Sequence, residues 1–280
     1  MSIARIDLTS YRVALAASPS RVTTLPLILL THEILSGKQV CAQKTSKRID
    51  FLIHEFASQN QPYNDAIEGI SALNDFLFNK KQFKKTGENN PDSLFMAKLL
   101  ENREGHPLAL ALLYRELCQR SGLAPINFVN FPGHFYVKTL YRHQLFFLDP
   151  SDQGKLLSVS ELQKKLSQKM GKSVALNGTF LETPTEAQMM VRFLGMLKGM
   201  YLDSRQWSSL LTVLDMIIET SPMRVNEYKE RGLLLYQIGH FADAHNDLTL
   251  FMNKSPPSPE VEKLRSFVRH LKSPPVHPLH

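Results

Sequence analysis

Five residue pairs near the C-terminus stand 34 apart: Trp207 with Phe241, Leu210 with Ala244, Leu214 with Leu248, Ile217 with Phe251, and Pro222 with Pro256. A period of that length is one helix–turn–helix unit, and such a unit cannot bury its apolar face alone. This part of the chain must therefore stack helical hairpins. The second copy carries the clearer pattern, with Tyr228, Gly232, Leu235, Gly239, Ala244, Leu248, Phe251 and Pro256. Gly232 and Ala244 leave room where two helices cross. Gly239 ends the first helix, and Pro256-Pro257 stops the second.

The 34-residue unit is of the TPR type. Its first copy is degenerate, with Lys198 and Arg205 at the glycine positions, and its helices are expected over Thr185–Leu202 and Gln206–Glu219, with Trp207 in the packing. A last helix, Pro259–Leu271, would cap the stack and hide its apolar end. The Pro- and His-rich tail, 273–280, is expected to be disordered.

Upstream the periodicity differs. Ile49, Leu52, Ile53 and Phe56 keep one face of a helix, and Ala66, Ile70, Leu73, Phe76 and Leu77 keep one face of another. His106–Ser121 reads as a helix with Pro107 in its first turn and Gly122 at its end. The short aromatic and β-branched runs Ile126–Phe131, His134–Leu140 and Gln144–Leu148 then read as strands. The fold class is α+β: helices and a small antiparallel sheet over residues 1–183, followed by an all-α repeat domain over 184–272.

The chain has 280 residues and two cysteines, Cys41 and Cys118, which excludes a disulfide scaffold or a multi-cysteine metal site. The formal charge of +7 is uneven. The first 183 residues hold 22 Lys+Arg against 16 Asp+Glu, the remainder 11 against 10. Two basic stretches, Lys80–Lys85 and Lys164/Lys165/Lys169/Lys172, carry no nucleic-acid motif and read as solvated surface. No apolar run reaches the roughly 18–20 residues of a membrane span, and no signal-peptide core precedes Ala14-Leu15-Ala16-Ala17. A soluble cytoplasmic protein is expected.

Chemistry concentrates between Gly105 and Asp149. If the last two strands turn between Arg142 and His143, Asp149 faces Tyr136, and His134 lies one diagonal step away on the same side. A carboxylate so placed would fix the imidazole tautomer and raise its basicity, the base–orienter half of a triad. A structural histidine and a turn-starting Asp-Pro would give the same pattern.

The segments Arg103-Glu104-Gly105-His106-Pro107-Leu108, Asn130-Phe131-Pro132-Gly133-His134-Phe135 and Leu148-Asp149-Pro150 resemble the transglutaminase-like, papain-related hydrolase core. Together with Leu197-Lys198 and Glu230-Arg231-Gly232-Leu233-Leu234, they make the chain similar to the bacterial SirB/YchA-type transglutaminase-like family with C-terminal TPR-like repeats. The resemblance implies that His134 and Asp149 descend from a catalytic pair, with Gly105, His106, Pro107, Asn130 and Tyr136 around them. It also implies a nucleophilic cysteine two residues after the glycine, at the helix N-terminus that lowers its pKa. That position is Pro107. Ala109, where relatives often carry serine, offers no substitute. Cys118 lies about 16 Å along the same helix, where the dipole raises rather than lowers a thiol pKa. Cys41 remains as a thiol that could approach His134.

No zinc-helix motif, phosphate loop or serine-hydrolase elbow is present in the sequence. Neither a cofactor nor a metal is expected. The expected function is non-catalytic binding of a protein or peptide through the TPR-like groove, in a regulatory or adaptor role. The alternative is a cysteine-type hydrolase or amidase using His134 and Asp149 with an unidentified nucleophile. Nucleic acid and membrane are not the expected partners.

Overall fold

The computed structural model describes residues 5–16, 24–37, 42–59, 63–87 and 90–271. Cys41 and the tail from 273 lie outside them. Helices α1 (Thr9–Ala16), α2 (Thr24–Ser36), α3 (Ala42–Gln59) and α4 (Ala66–Asn74) come first. After α4 a π-helical stretch, Asp75–Lys80, leads to strand β1 (Lys84–Lys85), and a short 3-10 turn, Pro91–Leu94, leads to α5 (Met96–Asn102). Strand β2 (Glu104–Gly105) precedes α6 (Pro107–Arg120). Then come β3 (Asn127–Phe128), β4 (Val137–Tyr141), β5 (Gln144–Asp149), β6 (Lys155–Leu157) and α7 (Val159–Met170). The rest is helical: α8 (Gly178–Leu181), α9 (Glu186–Asp203), α10 (Trp207–Thr220), α11 (Val225–Gln237), α12 (Phe241–Lys254) and α13 (Pro259–Leu271).

The chain divides into two compact units, Thr23–Met189 and Met1–Val22 with Met190–His280. The sequence places the division at 183 and leaves the N-terminal residues with the first domain. In the structure α1 instead belongs with the repeats. Tyr11 is fully buried, its hydroxyl 2.8 Å from Thr220 Oγ1, and Arg12 pairs with Glu219 at 2.8 Å. A lone two-turn helix is marginal in water, so packing of its one aromatic anchor decides where it sits.

In the α+β unit, α6 is the central element. Every residue from Leu108 to Arg115 is buried, so the helix has no solvent face over two turns. The one charge in that run, Arg115, donates to Glu186 Oε1 at 3.0 Å and lies over the Phe128 ring. A meander β3-β4-β5-β6 lies beside the helices, antiparallel throughout, and β1 pairs with β2 in parallel. Phe131, Tyr136, Phe147 and Leu157 form a core cluster with Leu162 and Leu166 of α7.

The strand boundaries differ from the sequence pattern. Only Asn127–Phe128 of the 126–131 run pairs as strand, and β4 starts at Val137 rather than at His134. Pro132 has no N–H to give a ladder, and Gly133 turns the chain at φ +69°. His134 therefore sits in a turn. Strand β6 and the β1/β2 pair escape the pattern because two or three residues carry no period. The helix expected through Leu77 continues instead as the π-helical stretch.

In the repeat unit, Arg205 takes φ +55° at the position where the second copy has Gly239 at +86°. The same left-handed helix end thus survives the loss of glycine. Ala244 is fully buried, and a methyl on Gly232 would stand 2.8 Å from Leu248 Cγ. Trp207 opens α10, as Phe241 opens α12. Arg231 of α11 clamps Asp247 of α12 through two bonds of 2.7 Å and Asp215 of α10 through one of 2.6 Å.

Two glycine substitutions test this packing. Gly232→Leu should cost about 2–3 kcal/mol through overpacking against Leu248. Gly195→Ala, inside α9 with nothing within 4 Å of the added methyl, should stabilise by up to about 1 kcal/mol. Urea denaturation of the two variants reads both effects.

Candidate functional site

The site is built on the hairpin β4–β5. Arg142 and His143 both adopt positive φ, +46° and +64°, as a two-residue hairpin turn with right-handed strand twist requires. The turn fixes the register: Val137 pairs with Leu148 and Tyr141 with Gln144. Continued one step, that register sets Asp149 opposite Tyr136, and the Pro132-Gly133 turn folds His134 back over the same face. His134 Nε2 lies 2.9 and 3.0 Å from the two Asp149 carboxylate oxygens.

Asp149 is 3% exposed and needs its charge satisfied. Burial by itself would raise its carboxyl, but hydrogen bonds from His134 and from the Ser151 hydroxyl and N–H outweigh it and hold the group below the usual carboxylate range. Ser151 Oγ is 2.7 Å and Ser151 N 3.0 Å from Asp149 Oδ1. Ser151 also stands 3.4 Å from His134 Nε2. Sequence reasoning missed it. Its signal was the Asp-Pro-Ser turn, in which a side-chain acceptor commonly bonds the N–H two residues on. With Nε2 donating to an ionised carboxylate, the neutral imidazole carries its lone pair on Nδ1.

The aromatic surroundings hold the ring. Tyr136 lies 4.3 Å from His134 between centroids, and Phe131 packs edge-on to Tyr136 at 4.9 Å. Burial pushes the Tyr136 phenol well up, and Asp149 adds to the rise, so it stays protonated. At Gly133 a side chain would meet Lys169 Cε at 2.4 Å, which together with the positive φ makes glycine the residue for this turn. Asn130 is tied to the 179–182 segment: its N–H donates to Glu182 O at 2.9 Å and its amide to Thr179 O at 3.4 Å.

The start of α6 lies beside this pair. Gly105 pairs with Lys85 in the short parallel ladder, where a Cβ would stand 2.8 Å from Leu99 Cδ1. Pro107 occupies the first helical position, and His106 caps the helix, its Nδ1 accepting from Leu108 N at 3.1 Å. Burial and the nearby His134 push the His106 imidazole down to about 4, so it is neutral at pH 7 with its proton on Nε2. Its ring sits edge-on to Phe135 at 5.9 Å.

The geometry is thus a base and its orienter without a thiol at the helix start. Cys118 is fully buried, and desolvation raises its thiol to about 12. Its sulfur contacts Ala124 O at 3.7 Å. Burial, more than the helix dipole expected from sequence, makes it inert. Cys41 lies outside the described residues, so the expected approach to His134 is not described. Among the described residues, no group of three or more His, Cys, Asp or Glu is arranged to hold a metal ion. No helix among them is long and apolar enough to cross a membrane.

The depressed His106 pKa makes stability depend on pH. The unfolded imidazole, near 6.5, takes up protons that the folded one refuses until about 4. Stability from this group is full above about pH 6.5 and is lost as pH falls toward 4. Between pH 7 and 4.5 the loss should be about 2 kcal/mol. His106→Asn keeps a helix-capping acceptor and removes the titration, so its stability should fall less over the same interval, as urea midpoints at the two pH values will measure.

Residues 43–195 match the model of the transglutaminase-like superfamily, and residues 197–269 match a tetratricopeptide repeat model. A UPF0162 protein of Xylella fastidiosa is 27% identical over 209 residues, covering 73% of this chain and 74% of its own. Human F-box only protein 21 is 26% identical over 180 residues, 61% of this chain but 28% of that protein. The crystal structure of menin aligns over 96% of this chain and 76% of its own with a TM-score of 0.43 and 11% identity. With more than half its length matched by one family model, the chain belongs to the transglutaminase-like superfamily, and a tetratricopeptide-repeat region follows that core.

Proposed function

We propose that the chain is a non-catalytic transglutaminase-like protein that binds a protein or peptide through its repeats, in a regulatory or adaptor role. One observation carries the proposal: Pro107 stands where the superfamily's mechanism needs a thiolate, while His134 and Asp149 remain hydrogen-bonded to each other. An imidazole can take a proton only from a nucleophile within reach. Proline offers none, Cys118 is protonated and sealed in the core, and the Ser151 hydroxyl donates to Asp149 instead. The pair's remaining task is to brace the hairpin and the turn before it.

The repeat unit has the surface that binding needs. Between α11 and α13 lies a cleft of about 450 Å³, with Leu233, Leu264 and Phe267 as its apolar lining and Lys229 and Lys263 among its polar residues. Leu233, Tyr236 and Phe241 are partly exposed large apolar side chains around this end of the unit. Stacked helical hairpins offer such grooves to extended or helical segments.

Two measurements test the proposal together. Purified chain should show no amide or ester hydrolysis that His134→Ala abolishes; such turnover would overturn it. Affinity capture followed by mass spectrometry should recover a partner that is lost with Leu233→Glu, an exposed change expected to leave the folding stability within about 0.5 kcal/mol of wild type. Capture unaffected by this change would remove the repeat cleft from the reading.

A further inference from the structure

The α+β unit contains a second cleft that shares no residue with the His134 site. It measures about 330 Å³ and lies between α3, the turn after the π-helical stretch, and α5. Lys44, Lys47, Phe51 and Glu55 reach it from α3 at steps of three and four residues, which is one face of a helix. The opposite wall comes from Lys81 and Phe83, part of the basic stretch that the sequence pattern assigns to solvated surface. Once folded, that stretch turns one cation and one apolar side chain onto α3.

The charges around this cleft are unequal in kind. Arg48 donates to Leu100 O at 2.7 Å and Arg103 to Lys81 O at 2.5 Å, so both guanidiniums brace the walls. Lys81 pairs with Glu55 Oε1 at 2.5 Å. Lys44 and Lys47 are exposed and have no carboxylate partner among the described residues. Phe51 is 67% exposed between them and the rest of the cleft. The second oxygen of Glu55 is buried and accepts no hydrogen bond. The site offers free positive charge and an uncovered apolar surface.

We infer that this cleft binds an extended acidic peptide segment, with carboxylates on Lys44 and Lys47 and an apolar side chain against Phe51 and Phe83. The α3 face from Lys44 to Glu55 is about 16 Å long at 1.5 Å per residue, the reach of about five extended residues. An apolar centre with a charged rim is the ordinary anatomy of a peptide-binding patch. A phosphate fits less well. It would leave the apolar surface of Phe51 and Phe83 uncovered.

A dye-labelled peptide alternating Asp/Glu with Phe and Leu, titrated with the full chain and followed by fluorescence polarisation, tests the inference. Binding should weaken as salt rises. It should fall at least about tenfold in the Lys44→Glu/Lys47→Glu variant and again in Phe51→Ser, since a rim charge and a central aromatic contribute separately. All three positions are exposed, and unchanged circular dichroism will show that the variants fold. Leu233→Glu should bind the peptide like wild type, which separates this site from the repeat cleft. No binding, or equal binding by the α3 variants, overturns the inference. So does a single-stranded oligonucleotide that displaces the peptide and loses affinity in the same variants, which would make the cleft a nucleic-acid site.

Discussion

Helix α6 has no solvent face over its first two turns, and the α+β unit is organised around that fact. Eight consecutive side chains, Leu108–Arg115, must each find a neighbour. A fully buried leucine contributes about 1.5–3 kcal/mol, so a helix with four of them in this run fixes the elements that cover it. Arg115 is admitted because Glu186 answers its charge and Phe128 covers its plane. The same rigidity holds the helix start, with His106 as cap and Pro107 as first residue. At that helix start the chain carries proline rather than a thiol.

The His134–Asp149 pair follows from a different constraint, the hairpin register. A one-residue slip at Arg142-His143 would send Asp149 to the other face of the sheet and leave a buried carboxylate without its imidazole. Both turn residues accept positive φ to prevent that. Ser151 adds its hydroxyl and its N–H to one of the two carboxylate oxygens, Oδ1. His134, Asp149 and Ser151 thus form one hydrogen-bonded network around a buried carboxylate, which ties the turn to the hairpin.

Much of this was legible in the residues. The 34-residue period marked the repeat helices because a packing face must recur wherever the fold recurs. The two-residue turn marked the register because side-chain alternation has period two. The facing of Asp149 and Tyr136 followed from the register by counting, whereas His134 reaches Asp149 from a turn rather than from the strand. What could not be read was set by contacts distant in sequence. Tyr11 joins α1 to the repeats through Thr220, and no local pattern announces a partner two hundred residues away. The clamp of Arg231 on Asp215 and Asp247 was invisible for the same reason, whereas the Ser151 contact is local to its Asp-Pro-Ser turn. The basic stretch at 80–85 looked like solvated surface because charge composition does not tell which side chains turn inward.

The sequence alone determined the superfamily core, the repeat period, the absence of a thiol two residues after Gly105, and the register that places a carboxylate near His134. Those features are local or periodic, and local sterics and alternation suffice to express them. Only the tertiary structure decided that Cys118 is sealed, that His134 lies in a turn rather than a strand, and that Lys44, Lys47, Phe51, Lys81 and Phe83 converge on one cleft. Burial and convergence depend on which distant elements pack together. That packing is settled by the summed apolar area removed from water, and no single segment carries the information.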